Sequence, residues 1–158
     1  MNMRGIHSGR APAARRRARG AGLIEVLVAV LVMAIGLLGI AAMQATALRN
    51  SQSSTEQSMA VVYSYSIIDA MRANRDAALA NAYNIGMTCA PPAVGTLAQT
   101  DLNAWLTSMQ QAQSLGPAAC GQIQRNGDMF IVTVRWDDRR ATGAAAADNK
   151  SIETRTRL

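Results

Sequence analysis

The sequence predicts an α+β protein in which a long N-terminal helix packs on a small antiparallel sheet. Three observations predict it. Residues 26–43 carry no charge and no proline. Further on, Met59, Val62, Tyr63, Ile67, Ala70 and Met71 recur at intervals of three and four, the spacing of one helix face. Beyond residue 120 the apolar period drops to two, and the dipeptide Asn126-Gly127 falls between two such runs, which reads as a hairpin.

Taken in chain order, residues 23–43 as a helix reach about 31 Å, close to the roughly 30 Å hydrocarbon core of a bilayer. In lipid a backbone without proline satisfies its polar groups as a helix. Arginines before the run and few charges just after it place the N-terminus in the cytoplasm and export residues 48–158. The polar stretch 49–58 holds no breaker, so the helix is expected from about residue 21 to about residue 79. Asp69, Arg72 and Asp76 fall opposite the apolar stripe at ion-pair spacing, a solvated face.

Residues 81–99, with Gly86, Pro91 and Pro92, read as a loop. Thr100 offers an N-cap for a helix whose apolar face is Leu102, Trp105, Leu106 and Met109, stopped by Gly116-Pro117. Trp105 is expected in the core. The hairpin pairs residues 122–125 with 129–136 and points Phe130, Val132, Val134 and Trp136 at the long helix. Residues 141–150 read as a low-complexity loop, and residues 151–158 alternate as a last strand.

Composition narrows the function. The 158 residues carry a net charge of +6, but six arginines (Arg4, Arg10, Arg15, Arg16, Arg17 and Arg19) lie in the first 20 residues without an acid. The remainder balances 10 basic against 10 acidic residues. That leaves no clustered basic surface for nucleic acid, which must displace phosphate counterions. The one histidine, His7, also lies in the basic stretch, and two cysteines do not make a four-ligand zinc site. No phosphate loop or nucleophile elbow is present, so no catalytic residue, metal or cofactor is expected. Cys89 and Cys120 fall in the exported part, where a disulfide is expected over two free thiols; it would tie the proline-containing loop to the turn before the hairpin.

The single charge at the start of the apolar run, Glu25, separates three readings of that run. A secretory signal peptide would use Ala45-Thr46-Ala47 as its cleavage site, yet the run exceeds the usual span of about 7–15 apolar residues. A plain signal anchor explains the length and leaves Glu25 and Gly20 without a role. Gly20 followed by Ala21-Gly22-Leu23-Ile24-Glu25 and the apolar run resembles the class III signal of type IV pilins and pseudopilins. The resemblance implies a pilin-like fold, cleavage by prepilin peptidase between Gly20 and Ala21, and N-methylation of Ala21. It implies that Glu25 attracts the new Ala21 amine of a neighbouring subunit, so that processing and assembly are coupled. The family usually has an aromatic residue or Met where Ala21 stands, and often a proline near Ala42; both are absent here. Gly36 and Gly39 present a small-residue helix-packing face.

Within the family, "LIEVLVAVLVMAIGLLGIAAMQ", "IIDAMRANRD" and "VTVRWDDRR" are similar to PilV-type minor pilins. That likeness implies a structural subunit, not an enzyme, which helps to start type IV pilus assembly in a priming or tip complex and supports twitching motility and adhesion. Its expected partners are prepilin peptidase, other minor pilins, the major pilin, a large tip adhesin and the inner membrane. Residues 1–20 are then the cleaved leader, 21–47 the membrane and assembly half of the helix, and 48–158 the periplasmic domain. A minor pseudopilin of type II secretion shares the same N-terminal pattern, and a signal-anchored periplasmic binding domain is the alternative of another class.

Overall fold

A computed structural model describes residues 22–158. Four helices and four strands follow in the order α1 (Leu23–Ala73), α2 (Arg75–Leu79), β1 (Ile85–Thr88), α3 (Leu97–Met109), β2 (Cys120–Asn126), β3 (Met129–Asp137), α4 (Arg139–Thr142) and β4 (Asn149–Thr156). Two compact units divide between Ala41 and Ala42. In the first, the described residues are Gly22 and the start of α1. The second is an α+β domain of pilin-like architecture, in which the distal half of α1 packs on a four-stranded antiparallel sheet of order β1-β2-β3-β4.

The long helix ends earlier than its sequence pattern suggests. Asn74 leaves helical dihedrals (φ −119°, ψ 51°) and separates α1 from the short α2. Asparagine is a weak helix former because its side chain competes for local hydrogen bonds. Here the Asn74 amide donates to the Tyr83 hydroxyl at 3.2 Å, and that hydroxyl donates to Asp101 at 2.5 Å. Burial and then the Asp101 bond push the Tyr83 phenol up to about 12.

The buried stripe of α1 also differs from the expected one. Glu56, Ala60, Ser64, Ile67, Ile68 and Met71 are buried, Met59, Tyr63 and Ala70 are half-buried, and Val62 is 64% exposed. The buried face is rotated relative to the expected stripe, which puts Val62 outside. Asp69 and Arg72 form the expected exposed ion pair at 3.0 Å.

The stretch 81–99 is not wholly loop, because β1 pairs with β2 inside it. The helix that follows begins at Thr96 rather than Thr100. Thr96 and Gln99 make a reciprocal capping box, while the Thr100 hydroxyl bonds back to the Thr96 carbonyl within the helix. The same helix stops at Met109, before Gly116-Pro117. Gln110 caps it and sends its side-chain amide to the carbonyls of Ala119 (3.0 Å) and Cys89.

The hairpin turns on Gly127-Asp128, one residue later than expected, since Asn126 pairs with Met129. Gly127 supplies the positive φ of 60° that such a two-residue turn needs. Phe130, Val132, Val134 and Trp136 are all buried on the inner face, with Ile67, Ile68 and Met71 of α1 and Leu102, Trp105, Leu106 and Met109 of α3 in the same core. Trp105 donates to the Tyr63 carbonyl at 3.0 Å, and its ring lies over Gly121, where an added Cβ would fall 2.4 Å from it. Glycine is therefore required at that point of β2. Strand β4 covers residues 149–156 rather than 151–158, and the stretch before it contains the end of α4.

Candidate functional site

The candidate assembly segment is the start of α1. Gly20 and Ala21, where cleavage and methylation are expected, lie outside the described residues, as does the whole basic stretch before them. Helical hydrogen bonding begins at Gly22, whose carbonyl accepts from the backbone of Glu25 (2.9 Å) and Val26 (3.2 Å). Glu25 is exposed in the first turn, where unpaired N–H groups and the helix dipole favour a carboxylate by about 0.3–1 kcal/mol.

From Gly22 to Asn50 every side chain is exposed; Leu23 is 93% and Leu38 is 71% accessible. Such a sleeve of Leu, Val, Ile and Met is stable only against lipid or other protein. Among the described residues, α1 is the one helix long and apolar enough to cross a membrane. It stays α-helical through Gly36 and Gly39, and no neighbouring atom lies within 4 Å of a Cβ placed on either. Among the described residues, nothing thus packs against these two glycines.

Cys89 and Cys120 are joined in a disulfide. Cys120 belongs to β2 and not to the turn before it, and Cys89 directly follows β1. The bridge therefore staples two neighbouring strands at the edge of the sheet. It leaves β4 outside its loop.

A second cluster escaped the sequence reading. Glu56 lies in a polar run that looks solvent-facing, yet it is 3% exposed. Arg140 of α4 reaches it at 3.1 Å and also donates to the carbonyls of Ser114 (2.9 Å) and Ala112 (2.6 Å). Asp138, 1% exposed, accepts from the Ser53 hydroxyl at 2.8 Å. Burial, outweighing the attraction of Arg140, holds the Glu56 carboxyl above its ordinary value, with Asp138 adding to the rise. Next to it, Asp137 accepts from the backbone N–H of Arg139 and of Asp148, each at 3.1 Å, and from the Arg139 guanidinium at 2.5 Å. Burial would raise its carboxyl, but these bonds prevail and hold it below 3.8. Asp137 thus contributes stability above that range, lost as pH falls through its lowered value. The run Asp137-Asp138-Arg139-Arg140 was the available signal: four charges ending a buried strand need partners.

Comparison with known proteins adds one match. Residues 15–41 match the family described as the prokaryotic N-terminal methylation motif. No curated protein and no solved structure gives a significant match to the chain. The motif supports a type IV pilin-like prepilin protein, of a pilus or a pseudopilus. With the long apolar helix, it is consistent with a membrane-anchored protein.

Proposed function

We propose that the chain is a minor pilin of PilV type, a non-enzymatic subunit that helps to initiate type IV pilus assembly in the priming or tip complex and so supports twitching motility and adhesion. The observation that carries this reading is the methylation motif set on a helix whose apolar surface is wholly exposed, with Glu25 as its first charge. In this reading prepilin peptidase cuts between Gly20 and Ala21, and Ala21 is methylated. The chain waits in the inner membrane with a cytoplasmic N-terminus and a periplasmic domain. Its partners are the other minor pilins, the major pilin and a tip adhesin.

Glu25 is costly to bury alone, as is the Ala21 amine; paired between subunits, each offsets much of the cost of the other. Gly36 and Gly39 offer a close approach to a neighbouring helix. A minor pseudopilin of type II secretion rests on the same motif, and its partners would be pseudopilins.

Two measurements test this. The intact mass of membrane-extracted protein should lack residues 1–20 and carry one methyl group; a chain starting at Leu48 would establish an ordinary signal peptide. Glu25→Gln should insert and be cleaved normally but lose co-purification with partner pilins and reduce surface pili. Full piliation by that variant removes the pairing role.

A further inference from the structure

Two buried carboxylate oxygens have no hydrogen-bond partner among the described residues: Oε2 of Glu56 and Oδ1 of Asp138. Each residue's other oxygen is occupied, by Arg140 and by Ser53 respectively. Ser53, which donates to Asp138, lies one turn before Glu56 on α1, and Arg140, which donates to Glu56, lies two residues after Asp138, so the two carboxyl groups converge at one contact between α1 and α4. Two ionised carboxylates in that position would leave two acceptors facing one another out of water, which is doubly unfavourable. One proton satisfies both at once.

We propose that Glu56 is protonated in the folded protein and donates from Oε2 to Oδ1 of Asp138, forming a proton-dependent clasp that fastens the start of α4 to α1. The proton comes from solvent and leaves to solvent. No other bond changes. The protonated Glu56 still accepts from Arg140 through Oε1. Arg140 carries the clasp to the turn after α3 through Ala112 and Ser114. A single titration therefore bears on three segments distant in sequence.

From α4, Arg140 faces Glu56, and Arg139 is engaged by Asp137 of β3. Asp138 lines a cavity with Arg49 of α1 and Lys150 of β4, and Lys150 pairs with Asp148 at 3.2 Å. Gln52 and Ser53 of α1 supply neutral polar groups. Neither Arg49 nor Lys150 replaces the proton by a hydrogen bond, because the two oxygens have no hydrogen-bond partner among the described residues.

The direction in pH follows. Glu56 binds its proton more tightly folded than unfolded, so its stabilising contribution is complete below the ordinary value of 4.5 and is lost as pH rises through the elevated one. Across that window the folded-to-unfolded ratio falls by up to about tenfold per pH unit. Asp137 works in the opposite, more acid range and does not obscure it.

The test is thermal unfolding of the full chain in detergent between about pH 5 and about pH 8, comparing wild type with Glu56→Gln and Asp138→Asn. Glutamine is a permanent analogue of protonated glutamic acid: its amide donates to Asp138 and its carbonyl accepts from Arg140. Asparagine at 138 donates instead to an ionised Glu56. Either variant should flatten the pH dependence, and Glu56→Gln should melt above wild type at the alkaline end. A Glu56→Gln variant destabilised equally at all pH values, or a wild-type curve parallel to the variants, overturns the clasp. Carboxyl-carbon NMR of labelled wild type gives a readout independent of the variants: the Glu56 signal should titrate above the free side chain, and a signal already ionised at the acid end overturns the proposal.

Discussion

The two halves of α1 share one backbone and answer to different surroundings. Residues up to Asn50 are exposed all round and almost uniformly apolar, whereas Glu56, Ala60, Ser64, Ile67, Ile68 and Met71 turn a narrow, partly polar stripe into a core. Helicity alone does not distinguish them. The distal half is held by tertiary packing, which is where most helix stability in proteins originates. Among the described residues nothing packs against the proximal half, and its apolar surface is left exposed. Damage to one half should therefore leave the other intact, and that independence can be broken in four ways.

The largest expected effect is Phe130→Ala. Phe130 is fully buried in the core that also holds the α1 stripe, and truncation of such a ring costs about 3–5 kcal/mol. Thermal unfolding should show a large loss of stability while alkaline extraction still finds the chain in membranes. A loss of membrane retention would couple the halves and remove the comparison.

Replacing both cysteines by serine should cost about 3–4 kcal/mol, from the chain entropy of the loop the bridge closes. Non-reducing peptide mapping of the native protein should find the Cys89–Cys120 link. Melting curves with and without reductant then measure its worth. No change on reduction would assign the edge of the sheet to the β1–β2 ladder alone.

Val32→Arg inverts the pattern. A central arginine opposes insertion by about 2.5–3.5 kcal/mol, so the membrane fraction should drop while any folded domain melts as in wild type. Unchanged retention would remove the lipid-facing role of the first half. The smallest effect is at α3: Thr96→Ala deletes the capping box and should lower stability by about 1 kcal/mol. Thr100→Ala should do less, since Thr100 already lies within the helix.

The exposed half of the molecule was legible without coordinates. A charge-free run of bilayer length specifies a helix by solvent chemistry alone, and Glu25 after a basic stretch marks its beginning. Strict alternation likewise predicted the inner face of β3, because a period of two assigns Phe130, Val132, Val134 and Trp136 to one side whatever the partner. The hairpin and the last strand were each located to within two residues for the same reason.

What the sequence left open is where non-local partners decide. Asn74 breaks the helix because Tyr83 comes back to meet its amide, and β1 exists because β2 lies beside it. The rotation that exposes Val62 and buries Glu56 depends on which face α3 and the sheet happen to cover. Glu56 itself looked like a solvated acid, since nothing within a turn of it in sequence predicts Arg140 or Asp138. Periodicity and bilayer length are properties of a chain and its solvent, and the amino-acid sequence determines them directly. The register of α1 on the core, and the pairing of charges about 80 residues apart, arise only when the tertiary fold removes water from both sides of the contact.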